Sequence, residues 1–101
     1  MSRSQNFTVF TGSSIPIRWI TTDDSKNVIE AYSVGASILS KTDESEIAVL
    51  TVERETVGMY KTTIDTTALG LAKGTYVIEF RAVVNGFNRT QRDFLNVRFT
   101  F

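Results

Sequence analysis

The chain has 101 residues, 42% of them hydrophobic and 11% aromatic, which supports one two-layer core and is too apolar for a disordered segment. Eleven basic side chains balance eleven acidic ones to a formal charge of zero, which argues against nucleic acid or an anionic membrane as main partner, because both favour a basic excess. There is no cysteine or histidine, so disulfides, the usual zinc ligands and histidine-based triads are excluded, and no apolar run approaches the roughly 20 residues of a membrane span.

Gln5 to Thr11, with Phe7, Val9 and Phe10, has the content of a first strand, and Gly12-Ser13-Ser14 breaks it. Ile15, Ile17 and Trp19 then share one parity against Pro16, Arg18 and Ile20. The only proline stands at the strand's start, where a missing N–H is tolerated at a sheet edge. Trp19, on the inward parity, is the expected centre of the core. A polar turn, Thr21 to Asn27, leads into VIEAYSV (28–34) and SVGASILS (33–40), read as one long kinked strand or two short ones, with Gly35 at a bend or bulge. Lys41 to Ser45 is a turn, and Ile47 to Val52 is a short apolar strand followed by the charged ERET at 53–56. Gly58 opens Met59 to Asp65, where Tyr60, Thr62 and Ile64 face inwards.

Thr66 to Leu71 is a compact corner, in which Asp65 or Thr66 caps a single helical turn that Gly70 ends. The clearest strand follows: Tyr76, Ile78, Phe80, Ala82 and Val84 alternate with Glu79 and Arg81, and Asn85-Gly86 then predicts a type I′ hairpin turn. The last strand places Leu95, Val97, Phe99 and Phe101 on one parity. If Val84 pairs with Phe87, Tyr76 lies opposite Leu95 and the facing agrees. The same register turns Gln91 and Asp93 inwards, so a bulge, or a hairpin end projecting beyond the core, is expected near Asn88 to Arg92. About seven short strands with turn signals between them predict an all-β, antiparallel β-sandwich forming a single domain over 1–101, with one short helical turn near 66–71.

The run Leu71-x-x-Gly74-x-Tyr76, after Asp65-x-x-x-Leu69 and Gly58-Met59-Tyr60, resembles the E-to-F corner of bacterial and phage immunoglobulin-like domains. The resemblance spans about Gly58 to Val97. It implies an immunoglobulin-like sandwich in which Tyr76 is the tyrosine corner, its hydroxyl bonding back to upstream backbone. Trp19 stands too early to be the core tryptophan of strand C, and the cysteine pair is missing, so the likeness is not to antibody domains.

Little in the sequence carries chemistry. No serine lies in a Gly-x-Ser-x-Gly elbow, Ser40-Lys41 is the one obvious adjacency for a Ser–Lys dyad, and Gly70 and Gly74 belong to turns rather than a phosphate loop. No enzyme, cofactor, metal site or small-molecule substrate is expected. Asp23-Asp24 and Asp43-Glu44-Glu46 could offer oxygen ligands to calcium, but they lack a dense Asp-x-Asp-x-Asp pattern and read first as solvated turn charges. Arg89, Arg92 and Arg98 around Phe87 and Phe94 mix base and aromatic. With Glu79 and Asp93 beside them, they read as a charged hairpin that blunts an edge rather than a nucleic-acid site. The terminal strand, ending on Phe99 and Phe101, is either tucked into its sheet or offered to a neighbour by strand addition. The expected protein contacts are therefore Phe87, Arg89, Arg92, Arg98, Phe99 and Phe101.

The opening MSRSQNFTVFTGSS holds no apolar run of leader length, and with no cysteine present the chain is expected to be made in a bacterial host's cytoplasm. The expected function is that of a non-enzymatic phage virion component, a head decoration, neck or tail protein. It would reside in the virion and bind other virion subunits, either as a self-associated oligomer or as a monomer that becomes ordered in symmetric copies on an assembly. The alternative is an immunoglobulin-like stalk or ligand-binding module from a secreted bacterial surface protein. A carbohydrate-binding module would require coplanar exposed aromatics, and Tyr32, Tyr60 and Phe87 do not line up on one strand.

Overall fold

A computed structural model describes residues 5–99. Eight strands and one helical turn follow in order: β1 (Asn6–Phe10), β2 (Ser14–Ile20), β3 (Ser33–Ser40), β4 (Glu46–Leu50), β5 (Glu53–Thr56), β6 (Met59–Asp65), α1 (Thr66–Leu69), β7 (Gly74–Val84) and β8 (Phe87–Arg98). They form a five-stranded sheet in the order β1-β8-β7-β3-β4 and a three-stranded sheet in the order β2-β6-β5. In the lettering of immunoglobulin sandwiches, β8, β7, β3 and β4 correspond to G, F, C and C′, and β2, β6 and β5 to B, E and D.

The core sits where the expected parities point. Ile17, Trp19, Tyr60 and Ile64 of the smaller sheet meet Ile38, Ile78, Phe80, Leu95 and Val97 of the larger, and all are buried. Trp19 stacks on Phe80 with ring centroids 4.5 Å apart and planes 12° from parallel. At the corner, Asp65 Oδ1 accepts the N–H groups of Thr67 and Ala68, and Gly70 ends the turn at φ 65°. The Tyr76 hydroxyl donates to Ala72 O at 2.8 Å, the tyrosine-corner bond that the resemblance implied. Ile78, two residues on, fills the place where antibody domains carry their second cysteine.

Several expectations are corrected. The all-β sandwich, with eight strands among the described residues, is not wholly antiparallel, because β1 runs parallel to β8 from Asn6↔Phe94 to Phe10↔Arg98. The short link Thr11–Ser13 carries the chain from one sheet to the other, so β1 docks on β8 instead of folding back on β2. The charged ERET is a strand of its own in the smaller sheet. VIEAYSV is not a strand: up to Tyr32 it is a connection with one isolated bridge, Thr22↔Val28, and its Ile29 and Ala31 pack on the core without a sheet partner. The bulge falls between Ile38 and Leu39 against β4, not at Gly35, which pairs in register with Arg81.

The β7–β8 register is unbroken from Gly74↔Val97 to Val84↔Phe87, so no bulge forms there. Instead the hairpin end projects, and Phe87 to Thr90 are exposed. Asp93 does face inwards, 3% exposed, and is satisfied: its Oδ1 accepts the Gln5 N–H at 2.9 Å and Gln91 Nε2 at 3.0 Å. From Phe94 to Arg98 the last strand lies between β7 and β1, tucked into its sheet rather than forming an open terminal edge.

Candidate protein-contact surface

The end of the sandwich beyond Trp19 is built by the β2–β3 connection, the β5–β6 turn and the β7–β8 hairpin. The connection is long and apolar in places, and specific bonds hold it. The Thr21 N–H donates to Gly58 O at 2.8 Å, its hydroxyl donates to Ile29 O at 2.6 Å, and the Ile29 N–H returns to Thr21 O at 3.1 Å. Gly58 turns at φ 67°, and a Cβ there would lie 2.5 Å from Val28 Cγ1 and 2.6 Å from Ile29 O, so only glycine lets turn and connection touch. The Tyr60 hydroxyl accepts the Ala31 N–H at 3.0 Å and donates to Glu30 Oε1 at 2.8 Å, while Arg54 Nε reaches both Glu30 oxygens. The bonds from Arg54 and Tyr60 hold the Glu30 carboxyl below its ordinary pKa, and burial pushes the Tyr60 hydroxyl up.

This scaffold supports a cleft of about 570 Å³ lined by Ile20, Asp24, Phe80, Phe87, Arg89 and Gln91 among others. Arg89 Nη2 meets Asp24 Oδ1 at 2.7 Å and ties the hairpin to the connection. Ile20 (58% exposed) and Phe87 (67%) line the cleft, and Val28, Tyr32 (90%) and Val57, on the loops of the same end, are exposed too; these are five of the nine large apolar side chains left exposed among the described residues. Topology brings them together: Ile20 pairs with Met59 beside the Val57-Gly58 turn, Val28 bridges Thr22, and the Tyr32 N–H bonds Val83 O one residue from Phe87's partner Val84. An apolar set concentrated at one end of a small domain is the composition of a contact surface.

Of the expected contact residues, Phe87 and Arg89 belong to this end. Arg92 lies on the outer face of the larger sheet, bonded to Glu79 and Glu44. There Arg81 also bonds Glu79, and Arg81 Nη2 and Glu46 flank the Ser37 hydroxyl. Desolvation, the largest single influence on Glu79, raises its pKa, but the bonds from Arg81 and Arg92 outweigh it, and the carboxyl ends below its ordinary value. Arg98 is paired with Phe10, six residues or roughly 20 Å along β8 from Arg92. The arginines therefore form no common patch. Phe99, 57% exposed, lies under Lys73 Nζ 5.2 Å from its ring, and Phe101 is outside the described residues. Tyr60, one of the three aromatics considered for a sugar platform, is buried.

The acidic turns have local partners. Asp23 Oδ1 accepts the N–H groups of Ser25 and Asn27, and Asp43 Oδ1 accepts the N–H and the hydroxyl of Ser45, which lowers both pKa values. Among the described residues no group of three or more acidic side chains gathers.

No family model and no curated protein matches the sequence. Solved structures do. A titin M3 domain superposes with a TM-score of 0.54 at 11% identity, over 94% of this chain and 88% of that one. A chimeric titin Z1Z2 functionalised with an exogenous KLER peptide from decorin gives 0.53 at 14%, over 94% and 87%. Dpr2 Ig1-Ig2 in complex with DIP-Theta Ig1-Ig3 gives 0.50 at 12%, over 95% of this chain and 32% of that one. The fold is immunoglobulin-like. Within it, the cleft lies between the B–C connection and the F–G hairpin, at the end where variable domains carry their binding loops.

Proposed function

We propose that this chain is a non-enzymatic protein-interaction module that docks through the B–C and F–G end of its sandwich. The observation that carries the reading is the gathering of exposed Ile20, Val28, Tyr32, Val57 and Phe87 at the end of the sandwich that holds the cleft, with Ile20 and Phe87 in its lining, on backbone pinned by Thr21, Gly58 and Tyr60. A partner would bury Phe87 and Ile20 as anchors, with Asp24 and Arg89 at the rim. In its finer form the proposal is a phage virion subunit, assembled in the bacterial cytoplasm and binding other virion proteins. The cysteine-free composition suits assembly in a reducing compartment.

The two levels are tested separately. Mass spectrometry of density-gradient-purified particles from the source should find the chain in stoichiometric copies, and its absence from them removes the virion reading. For the module, Phe87→Asp should abolish co-purification of the partner with no change in Tm. A partner retained equally by wild type and variant would place the contact elsewhere.

A further inference from the structure

The β7–β8 hairpin turns on Asn85 and Gly86, both exposed and both at positive φ, 51° and 82°. In a two-residue turn the flanking residues, here Val84 and Phe87, bond each other, and the N–H groups of the central pair point away from the ladder. Neither the Gly86 N–H nor the Asn85 side chain has a hydrogen-bond partner among the described residues. A Cβ at Gly86 would meet nothing within 4 Å, so no other part of the chain crowds the tip.

We propose that Asn85 is a site of spontaneous deamidation in the folded protein. The Gly86 nitrogen gives up its proton to solvent and attacks Asn85 Cγ. The new N–Cγ bond closes a cyclic imide, and the Cγ–Nδ2 bond breaks, Nδ2 leaving as ammonia with a proton returned by solvent. Water then opens the imide. Attack at Cγ leaves aspartate at position 85, and attack at the main-chain carbonyl leaves isoaspartate, whose main chain runs through Cβ and Cγ. Water is the only co-reactant.

The surroundings single out this asparagine. Gly86 carries no side chain to obstruct the attack, whereas Asn6, Asn27, Asn88 and Asn96 precede Phe7, Val28, Arg89 and Val97. Two of those amides are also held: Asn27 Nδ2 donates to Asp23 Oδ2 at 3.4 Å and Asn96 Nδ2 to Phe7 O at 3.4 Å. The nitrogen that would attack at Asn88 belongs to Arg89, whose N–H serves its bonded pair with Ala82. At Asn85 the reaction removes an N–H on which no bond of the fold depends. Ring closure needs rotation about the Asn85 Cα–C bond, and an uncrowded tip with glycine beside it permits that while the ladder stays paired. Either product adds one acid to the eleven that now balance eleven bases, and places it two residues from Phe87. Isoaspartate also lengthens a turn whose twist matches its strands, so the hairpin end loosens. This inference does not depend on the docking reading above.

The folded chain and a synthetic peptide spanning Val83 to Arg89 are kept at neutral pH and physiological temperature, with circular dichroism following the fold. The folded chain should gain the mass of an amide-to-acid exchange, peptide mapping should place it at Asn85, and an isoaspartyl methyltransferase should label it. Its rate should stay within about a hundredfold of the peptide's, because only the tip has to open. Reaction through global unfolding would be slowed by about a thousandfold or more. Asn85→Gly suits the same turn without an amide and should keep its starting mass. The proposal is overturned by a slowing greater than a hundredfold on the same scale, or by conversion at Asn85 no faster than at the other asparagines.

Discussion

Gly58 and Gly70 share nearly the same backbone angle, φ 67° and 65°, yet they stand in different surroundings. A Cβ on Gly70 meets nothing within 4 Å, whereas one on Gly58 strikes Val28 and Ile29. Gly70→Ala should therefore cost about 1–2 kcal/mol, the left-handed penalty alone. Gly58→Ala should cost more, because the β2–β3 connection must also move. Urea unfolding followed through Trp19, the only tryptophan, measures both. Tyr60→Phe leaves the Ala31 N–H without its acceptor and should cost about 1–3 kcal/mol in the same assay. The sequence made the inward face of Tyr60 legible through its parity with Thr62 and Ile64. It could not reveal the bond to Glu30, thirty residues away, because periodicity reports which face a residue takes and not what meets it there.

Elements with local signals were the legible ones. Asn85 and Gly86 adopt φ 51° and 82°, both centres positive as the type I′ turn requires, and Asp65 and Gly70 cap α1 as their spacing implied. Elements defined only by distant partners were not. β5 is exposed at all four residues, so it has no apolar period, and the parallel pairing of β1 with β8 joins opposite ends of the sequence. The candidate surface divides the same way: Phe87 and Arg89 follow from the hairpin, whereas Ile20 at the end of β2 and Asp24 in the connection reach the same cleft only through the path the β2–β3 connection takes. Electrostatics between elements also yields a prediction. Glu30 ties the β2–β3 connection to β5 and β6, and Glu79 ties β7 to β8, each with a depressed carboxyl pKa. A group whose folded pKa lies below its unfolded one stabilises fully above the ordinary carboxylate range of about 4 to 4.5, and that contribution is lost as pH falls below it. Thermal midpoints should thus be flat from neutral pH down to about 5 and then decline. With Glu79→Gln the acid decline should be shallower.

At the scale of the molecule, the native sheet needs β1 beside β8 and β3 beside β7, pairs far apart in the sequence. Such non-local pairing places refolding in the range of milliseconds to seconds, and stopped-flow fluorescence of Trp19 against Phe80 should find it there. The hairpin end at Phe87 should contribute little to this process. Phe87→Asp is expected to change refolding and unfolding rates by less than about twofold, since exposed substitutions usually stay within about 0.5 kcal/mol.

The parallel alignment of β1 and β8 also decides how the molecule answers mechanical load. Tension applied through the start of β1 and the end of β8 pulls the two strands in opposite directions along their common axis. The bonds from the Gln5–Phe94 link to the Thr11–Arg98 link then resist together, in shear. Tension applied through Gly12 and Phe99 acts on the same ladder from one side and peels its bonds in turn. A single-molecule pulling experiment should find the first geometry stronger, so that resistance to stretching depends on the direction of pull while the bonds themselves stay the same.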